Sequence, residues 1–299
     1  MREKQTLSKK IDFAVIFAVK CANPNGNPLD GNRPRITDQG LGEVSDVCIK
    51  RKIRDRLQET GETIFVQSED RKKDDYKSLK DRAEGVLGAT LKSNDEKAVR
   101  DAACEKWMDV RAFGQLFAIP KGKKAGKKKE ADTGDAGDDE STKGVSIGIR
   151  GPVSVHPAFS TERLVPTSIQ ITKSVSGETK ADGSRSSDTM GMKHRIDGGV
   201  YWFVGSMNPQ LAQKTGFTDA DAAKIKAVLP RLFENDESAA RPAGSMRVLK
   251  VFWWEQPAGT KTPYSSARVH ESLTKNINAD GTCKLTPLSG LKPEEIEGF

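Results

Sequence analysis

The chain has 299 residues, of which 35% are hydrophobic and 30% charged, and its 49 Lys and Arg against 42 Asp and Glu give a net charge of +7. Its longest apolar stretch, residues 11–19, contains Asp12 and is far shorter than the roughly 20 residues that a membrane-spanning helix needs. No secretory signal pattern is present, and the four widely spaced cysteines predict free thiols in a reducing compartment. These features argue against a membrane protein or a secreted one, so we expect a cytoplasmic protein without a membrane partner.

The positive charge is unevenly distributed along the chain. Residues 1–60 carry +4 and residues 144–275 carry +5, whereas residues 61–120 and 276–299 carry −1 and −2. The lysine-rich run that begins 121–143 is followed by an acidic run, so this segment is nearly neutral at +1. It lacks large apolar residues and cannot offset the entropy of ordering, which predicts a disordered surface loop. The charge available to a polyanion therefore lies in 1–60 and 144–275.

The first 60 residues predict a strand, a turn-rich loop and a basic helix. Residues 11–20 alternate bulky apolar side chains with smaller ones, the period of a strand with one buried face. The loop NPNGNPLDGNRPR follows and contains the Asn-Pro, Asn-Gly and Asp-Gly pairs of tight turns. Ser45 then predicts the N-cap of a helix with Ile49, Ile53 and Leu57 on one face. The other faces of this helix are basic.

The rest of the chain predicts a polar insertion and the remaining elements of a core. Residues 61–120 are highly charged and predict a helical insertion, with one helix capped by Ser93 or Asn94. The later predicted elements are a strand from Val145 through Val155, a long hairpin or arm at 165–196, a strand at 199–207, a helix from Thr218 to about Leu232, a strand at 246–254 and a C-terminal tail at 276–299.

Without the insertions, the predicted order is strand, helix, strand, strand, helix, strand. This is the order of the ferredoxin-like split β-α-β fold, which RNA-recognition modules share. We therefore predict an α+β fold whose core comprises residues 1–60 and 144–275. A generic α+β fold with the same order by coincidence is the alternative.

The sequence contains no motif for a common catalytic or cofactor chemistry. Its three histidines are isolated and no Cys-x-x-Cys pair occurs, so no metal site is predicted. No phosphate-binding loop and no G-x-S-x-G nucleophile elbow is present. Asp30 and Asp38 follow the first strand, where a carboxylate could assist phosphodiester cleavage, but turn formation is the commoner role. We favour a binding protein without cofactor or metal over an enzyme.

Basic residues of the helix and the loop are the first candidate binding residues. Lys50 and Arg54 are four residues apart on one helical face, with Arg51 adjacent. Such a row can neutralise successive phosphates of a nucleic-acid backbone, although many basic helix faces are only solvated. Arg33 and Arg35 extend this basic set into the preceding loop.

A second candidate group lies at the base of the predicted hairpin. Lys193 and His194 supply hydrogen-bond donors, and Met192 is a flexible apolar group that could pack on bases. Tyr201 and Phe203, in the following strand, are interpreted as core residues. The sequence GVYWFVGS lacks the basic-Gly pair that begins the stacking motif of RNA-recognition modules.

Six segments, in order, resemble one protein family. They are NPNGNP, SDVCIKRKIR, DVRAFGQLF, GIRGPVSV, TMGMKHRIDGGVYWF and RPAGSM, spread over roughly residues 10–255. Together they resemble the backbone subunit of the type I CRISPR Cascade effector, the seventh CRISPR-associated protein family in the RAMP superfamily. The resemblance is greatest to the subtype I-C branch. It does not cover 121–143 or the C-terminal tail.

The resemblance implies a fold and an assembly. The core would be a modified RNA-recognition palm, with helical fingers and a β-hairpin thumb at about 165–196. Copies would stack in a helical filament along a guide crRNA, together with other Cascade subunits. Each thumb would flip out one base at regular intervals, and the intervening bases would pair with target DNA in antiviral defence.

The resemblance also implies roles for the candidate residues. The basic helix matches the family's backbone-contacting helix, and the two loop arginines match the loop near the RNA. Met192 and His194 lie in the TMGxKH motif at the thumb root, which implies packing on bases. Type I members are not nucleases, whereas related type III subunits cleave target RNA with a loop aspartate. Because Asp30 lies in the corresponding loop, such an RNase is the alternative function.

Overall fold

The computed structural model describes residues 5–93, 95–119, 145–172, 190–257, 264–274 and 277–299, and it confirms the predicted α+β class. The strands are β1 Lys9–Ala22, β2 Gly26–Asn27, β3 Arg33–Pro34, β4 Leu41–Val44, β5 Gly114–Ile119, β6 Val145–Arg150, β7 Val153–Val155, β8 Ala158–Arg163, β9 Thr167–Thr172, β10 Met190–Met207, β11 Met246–Pro257 and β12 Glu294–Glu297. The helices are α1 Asp46–Glu59, α2 Leu79–Lys92, α3 Glu96–Lys106, α4 Met108–Phe113, α5 Pro209–Thr215, α6 Asp219–Val228 and α7 Ser266–Thr274.

The main sheet is antiparallel and centred on β1 and β10. Its strand order is β12-β11-β1-β10-β8-β4, and β7 and β9 also pair with β10. β1 and β10 stay in register over their common length, because the apolar alternation of both strands keeps one face buried. The predicted strands at 11–20, 199–207 and 246–254 are confirmed, and each is longer than predicted.

One face of the sheet packs against α1 and α6. Phe13 and Phe17 alternate along β1 on this face and are fully buried in one cluster with Ile49 and Ile53 of α1. The predicted start of α1 is confirmed, since the Ser45 hydroxyl accepts a hydrogen bond from the Cys48 amide at 3.3 Å. Apolar spacing of four residues thus fixes which side of α1 faces the sheet.

A capping box and a buried ion pair fix α6. The Thr218 hydroxyl accepts from the Asp221 amide, and the Asp221 carboxylate accepts from the Thr218 amide. Arg111 of α4 donates twice to the same carboxylate, at 2.8 and 3.0 Å. Burial raises the pKa of Asp221, but Arg111 and Thr218 outweigh this effect and hold the pKa below its usual value. The carboxylate therefore stays charged and joins α6 to α4.

The opposite face of the sheet is covered by α7 and the residues after it. Ile16 and Trp254 on this face pack against Val269 and Leu273 of α7. The predicted C-terminal tail contributes to this layer, and its strand β12 adds an edge to the main sheet by pairing with β11. Both sheet faces are therefore occupied along much of their length.

The insertion has a core of its own. Phe65, Trp107 and Phe117 pack together with residues of α2, α3 and the β5-β6 hairpin. The helix α3 is capped by Asp95 rather than by Ser93 or the undescribed Asn94. The residues from 61 to 119 form the helices α2, α3 and α4, and their strand β5 pairs with β6 in a small sheet.

The strand predicted from Val145 through Val155 is two strands in two sheets. β6 pairs with β5 in the insertion, whereas β7 pairs with β10 in the main sheet. The break is at Gly151-Pro152, because Pro152 lacks the amide that a ladder needs. A Cβ at Gly151 would lie 2.3 Å from the Ala112 carbonyl oxygen, so the chain must pass very close to α4 there.

Two predicted segments fall partly or wholly outside the described residues. β9 pairs with the first part of β10, from Met190 opposite Thr172 to Arg195 opposite Thr167. This pairing is the stem of a hairpin whose residues 173–189 are not described. The loop predicted at 121–143 is likewise outside the described ranges.

Candidate nucleic-acid interface

The loop after β1 is tied to the N-terminus of α1. The Asn25 carboxamide oxygen accepts hydrogen bonds from both the amide and the hydroxyl of Ser45, each at 2.9 Å. The Asn23 side chain donates to the Asn32 carbonyl at 2.7 Å. Gly31 and Asn32 both have positive φ, a conformation that Gly and Asn adopt most readily. The turn chemistry predicted from the sequence thus yields a loop of fixed shape.

This loop contributes two arginines near β10, Arg33 and Arg35. Arg33 is exposed on β3, and β3 packs against β10. Arg35 is half-buried, and its Nε has no hydrogen-bond partner in the described ranges. Neither arginine forms an ion pair with a described carboxylate. Their charge is therefore available to a ligand.

The hairpin stem carries the second predicted group. Met192 is 56% exposed and lies opposite Gln170, while Lys193 is exposed and lies opposite Ile169. The His194 Nδ1 lies 2.9 Å from the Ser168 hydroxyl. Because side chains alternate along a strand, Met192 and His194 share one face and Lys193 is on the other. Apolar and cationic groups are thus both exposed on this ribbon.

The cations Lys50 and Arg51 on α1 have carboxylate partners of their own chain. The Lys50 Nζ lies 2.9 Å from Asp46, and Arg51 lies 3.6 Å from Asp55 and 3.3 Å from Asp70. The Arg51 and Asp70 side chains are 54% and 69% exposed. Ion pairs this exposed contribute about 0–1 kcal/mol, so a phosphate can replace the carboxylate.

Arg54 lies in the interior instead of on the outward face with Arg51. Its Nε donates to Asp109 at 2.9 Å, and the two side chains are only 11% and 1% exposed. Asp109 also accepts from the amides of Phe65 and Val66, at 2.7 and 3.1 Å. Arg54 therefore anchors the insertion to α1, and Lys50 and Arg51 are the outward cations of the predicted row.

The two remaining cations of α1 are also neutralised. Lys52 is buried against Asp236, and Arg56 donates to Glu59 at 2.7 Å. All five basic residues of the helix thus have a carboxylate partner. The helix contributes less free positive charge than its sequence suggests.

Three exposed cations without described carboxylate partners were missed by sequence reasoning. Lys20 lies two residues before the end of β1, Arg163 ends β8 and Arg247 is the second residue of β11. Each is a basic residue near one end of a strand, a pattern too common to single out a site. Only the pairing of these strands in one sheet brings them to the same end of the molecule.

The aromatic residues of β10 belong to the core, as predicted. Tyr201 and Phe203 are fully buried, and Tyr201 stacks on Phe17 with ring centroids 5.4 Å apart. Burial raises the pKa of the Tyr201 hydroxyl far above its usual value. Neither ring is available to stack on a base.

The described residues include two exposed aspartates in or near the loop after β1 but no metal-binding cluster. Asp30 and Asp38 are both exposed in or next to the loop after β1. Among the residues that the structure describes, no group of three His, Cys, Asp or Glu is arranged to hold a metal ion. Of the described helices, none has the length and apolar character needed to cross a bilayer.

The antiparallel sheet, its packed helices and the cationic loop and hairpin define an α+β protein with a surface suited to a polyanion. The model of the family described as CRISPR-associated protein Cas7 matches residues 9–285, and the chain belongs to this family, as the sequence resemblance predicted. The CRISPR-associated protein Cas7 of Haloferax volcanii is 27% identical over 244 residues, which cover 80% of this chain and 68% of that protein.

Two solved structures are also similar to this chain. One is a chain of a "CRISPR RNA-guided surveillance complex, pre-nicking", with a TM-score of 0.45 and 15% identity, covering 88% of this chain and 82% of that one. The other is a chain of a "CRISPR RNA-guided surveillance complex", with a TM-score of 0.43 and 16% identity, covering 91% and 77%.

Proposed function

We propose that this chain is the crRNA-binding backbone subunit of a type I-C Cascade surveillance complex. Membership of the Cas7 family over residues 9–285 carries this proposal. The subunit polymerises along the guide RNA with other copies and other Cascade subunits, and it has no catalytic role. Its hairpin flips bases at intervals, and the guide then pairs with target DNA to form an R-loop.

The strand order supports a palm of the RNA-recognition type. The four strands β11-β1-β10-β7 are adjacent in that order and antiparallel, with α1 and α6 on one face. This is the strand order of the ferredoxin-like split β-α-β fold. On this assignment, the β9-β10 hairpin is the thumb and the insertion forms the fingers.

The distribution of free charge supports an RNA path along the loop and the hairpin stem. Arg33, Arg35 and Lys193 form no ion pair with a described carboxylate, and Met192 and His194 flank Lys193 on β10. A subunit that binds any guide needs contacts to phosphates rather than to base edges. Lys50 and Arg51 extend the path across α1, while Arg54 sets the position of that helix.

We predict that the protein purifies with RNA of one defined length. Native purification followed by RNA extraction and sizing measures this, and removal of the RNA is expected to dissolve the large assemblies. Absence of RNA, or RNA of random length, would contradict the proposal.

Incubation with complementary RNA and Mg²⁺ tests the alternative function, a nuclease. Cleavage that is lost in Asp30→Ala but kept in Asp38→Ala would overturn the non-catalytic role.

We predict that Asp70→Asn raises the affinity for single-stranded RNA about two- to fivefold, since Asp70 competes with phosphate for Arg51 at a cost of up to about 1 kcal/mol. Glu69→Gln is the matched control. It removes the same charge from the neighbouring residue, which pairs with Lys72 at 2.8 Å instead of with α1. Fluorescence anisotropy at fixed salt measures both. Equal gains in the two variants would contradict a contact between RNA and Arg51.

A further inference from the structure

At one end of the sheet face that carries α7, no described element covers the strands. The covering layer reaches Ile16 of β1, where a Cβ on Gly281 would lie 3.9 Å from the Ile16 side chain. Ala18, two residues further along the same face, is only half-buried, and Lys20 is exposed. The sheet surface is therefore accessible beyond Ala18.

Three cations surround this uncovered end. Arg247 pairs with Ala18 and lies on the same face as Lys20, because alternate residues of a strand share a face. On the other side of β1, Gly198 of β10 pairs with Lys20. Beyond β10, Arg163 ends β8, and the next residue packs against Gly199. Lys20, Arg163, Gly198 and Arg247 are called the open shelf below.

The centre of the open shelf is Gly198, which has no side chain, and no described carboxylate neutralises the three cations around it. A Cβ on Gly198 would meet no atom within 4 Å, and none of the three cations forms an ion pair with a described residue. The carboxylate of Asp197, next to Gly198, is already engaged by Thr167 at 2.7 Å and Arg195 at 2.8 Å. The cations of α1, by contrast, are all paired.

The side chains of the open shelf indicate which kind of ligand it would bind. Guanidinium and ammonium groups around a flat glycine surface suit a phosphodiester backbone, and none of the shelf residues has an aromatic ring or a carboxamide to read a base. β10 runs from the hairpin stem directly into Gly198, so the shelf continues the proposed RNA path. We propose that the open shelf binds the phosphate backbone of single-stranded RNA, independently of sequence. This inference rests on the proposed function.

The salt dependence of RNA binding tests the three cations. In a variant with Lys20→Gln, Arg163→Gln and Arg247→Gln, the slope of log affinity against log salt is expected to fall by about 2, from roughly 0.7 per phosphate contact. The control variant, Lys97→Gln with Lys214→Gln and Arg268→Gln, removes three exposed charges elsewhere that form no ion pair with a described residue. An equal slope change in both variants would overturn the shelf.

A side chain added at Gly198 tests the open shelf without changing its charge. Gly198→Val is expected to weaken binding of a labelled unstructured RNA at least tenfold while leaving the thermal unfolding temperature unchanged, because its side chain would occupy open space. Gly148→Val is the control, since a Cβ there meets only Leu116 at 3.8 Å. Wild-type affinity in Gly198→Val, or a loss confined to single-stranded DNA of the same sequence, would overturn the proposal. If the wild-type protein itself fails to bind RNA, the proposed function fails and not the shelf alone.

Discussion

Asp109→Ala is expected to lower the free energy of unfolding by about 3–5 kcal/mol, because it leaves the buried Arg54 guanidinium without its counter-ion. It also removes the acceptor of the Phe65 and Val66 amides. Urea unfolding followed by circular dichroism measures the change. The exposed Asp70→Asn serves as control, with an expected change below about 1 kcal/mol.

A loss below 1 kcal/mol in Asp109→Ala would contradict the anchoring role given to this pair. The same geometry governs how variants of Arg54 are interpreted. Arg54→Ala leaves the buried Asp109 without its cationic partner, so a loss of RNA binding in this variant reports on unfolding as much as on a phosphate contact. Lys50 and Arg51 are the informative positions for testing α1 itself.

Replacing Arg33 and Lys193 together with Gln is expected to lower the affinity for single-stranded RNA about tenfold and the salt slope by about 1.4. Both side chains are exposed and have no described ion pair, so stability should change by less than about 0.5 kcal/mol. Filter binding over a salt series, together with thermal unfolding, measures both quantities.

The control for this double variant is Lys97→Gln with Lys214→Gln, which removes two exposed charges from α3 and α5. An unchanged slope in the Arg33 and Lys193 variant would exclude the loop and the hairpin stem from the RNA path. An equal loss of RNA affinity in the control variant would show that the effect comes from the overall charge of the protein and not from these two positions.

Local signals predicted the parts of the fold that depend on neighbouring residues. The alternation in β1, the Ser45 cap of α1 and the Thr218 start of α6 each lie within a few residues of the element they define. The break at Gly151-Pro152 was not predicted, although Pro152 itself is a local signal that ends strand pairing. The close approach of Gly151 to Ala112, nearly 40 residues away, could not be inferred from the sequence. The apolar periodicity of a segment predicts its secondary structure but not the tertiary contacts that the segment makes.

The candidate site follows the same rule. The basic set on α1 was predicted from spacing, yet the partner of Arg54 is Asp109, 55 residues further along the chain. Sequence spacing could not show that this pair is buried. In the same way, Lys20, Arg163 and Arg247 meet only through strand pairing, so no contiguous motif marks the open shelf.

The short helix α4 joins the insertion to the main sheet at both chain crossings. The incoming chain is held where the Met108 amide donates to the Thr63 carbonyl at 2.9 Å, and the outgoing chain passes α4 at Gly151. The insertion is therefore held by the same short helix at both places where the chain crosses to and from the main sheet. A substitution that shifts α4 is therefore expected to displace both the point where the chain leaves the main sheet and the point where it returns.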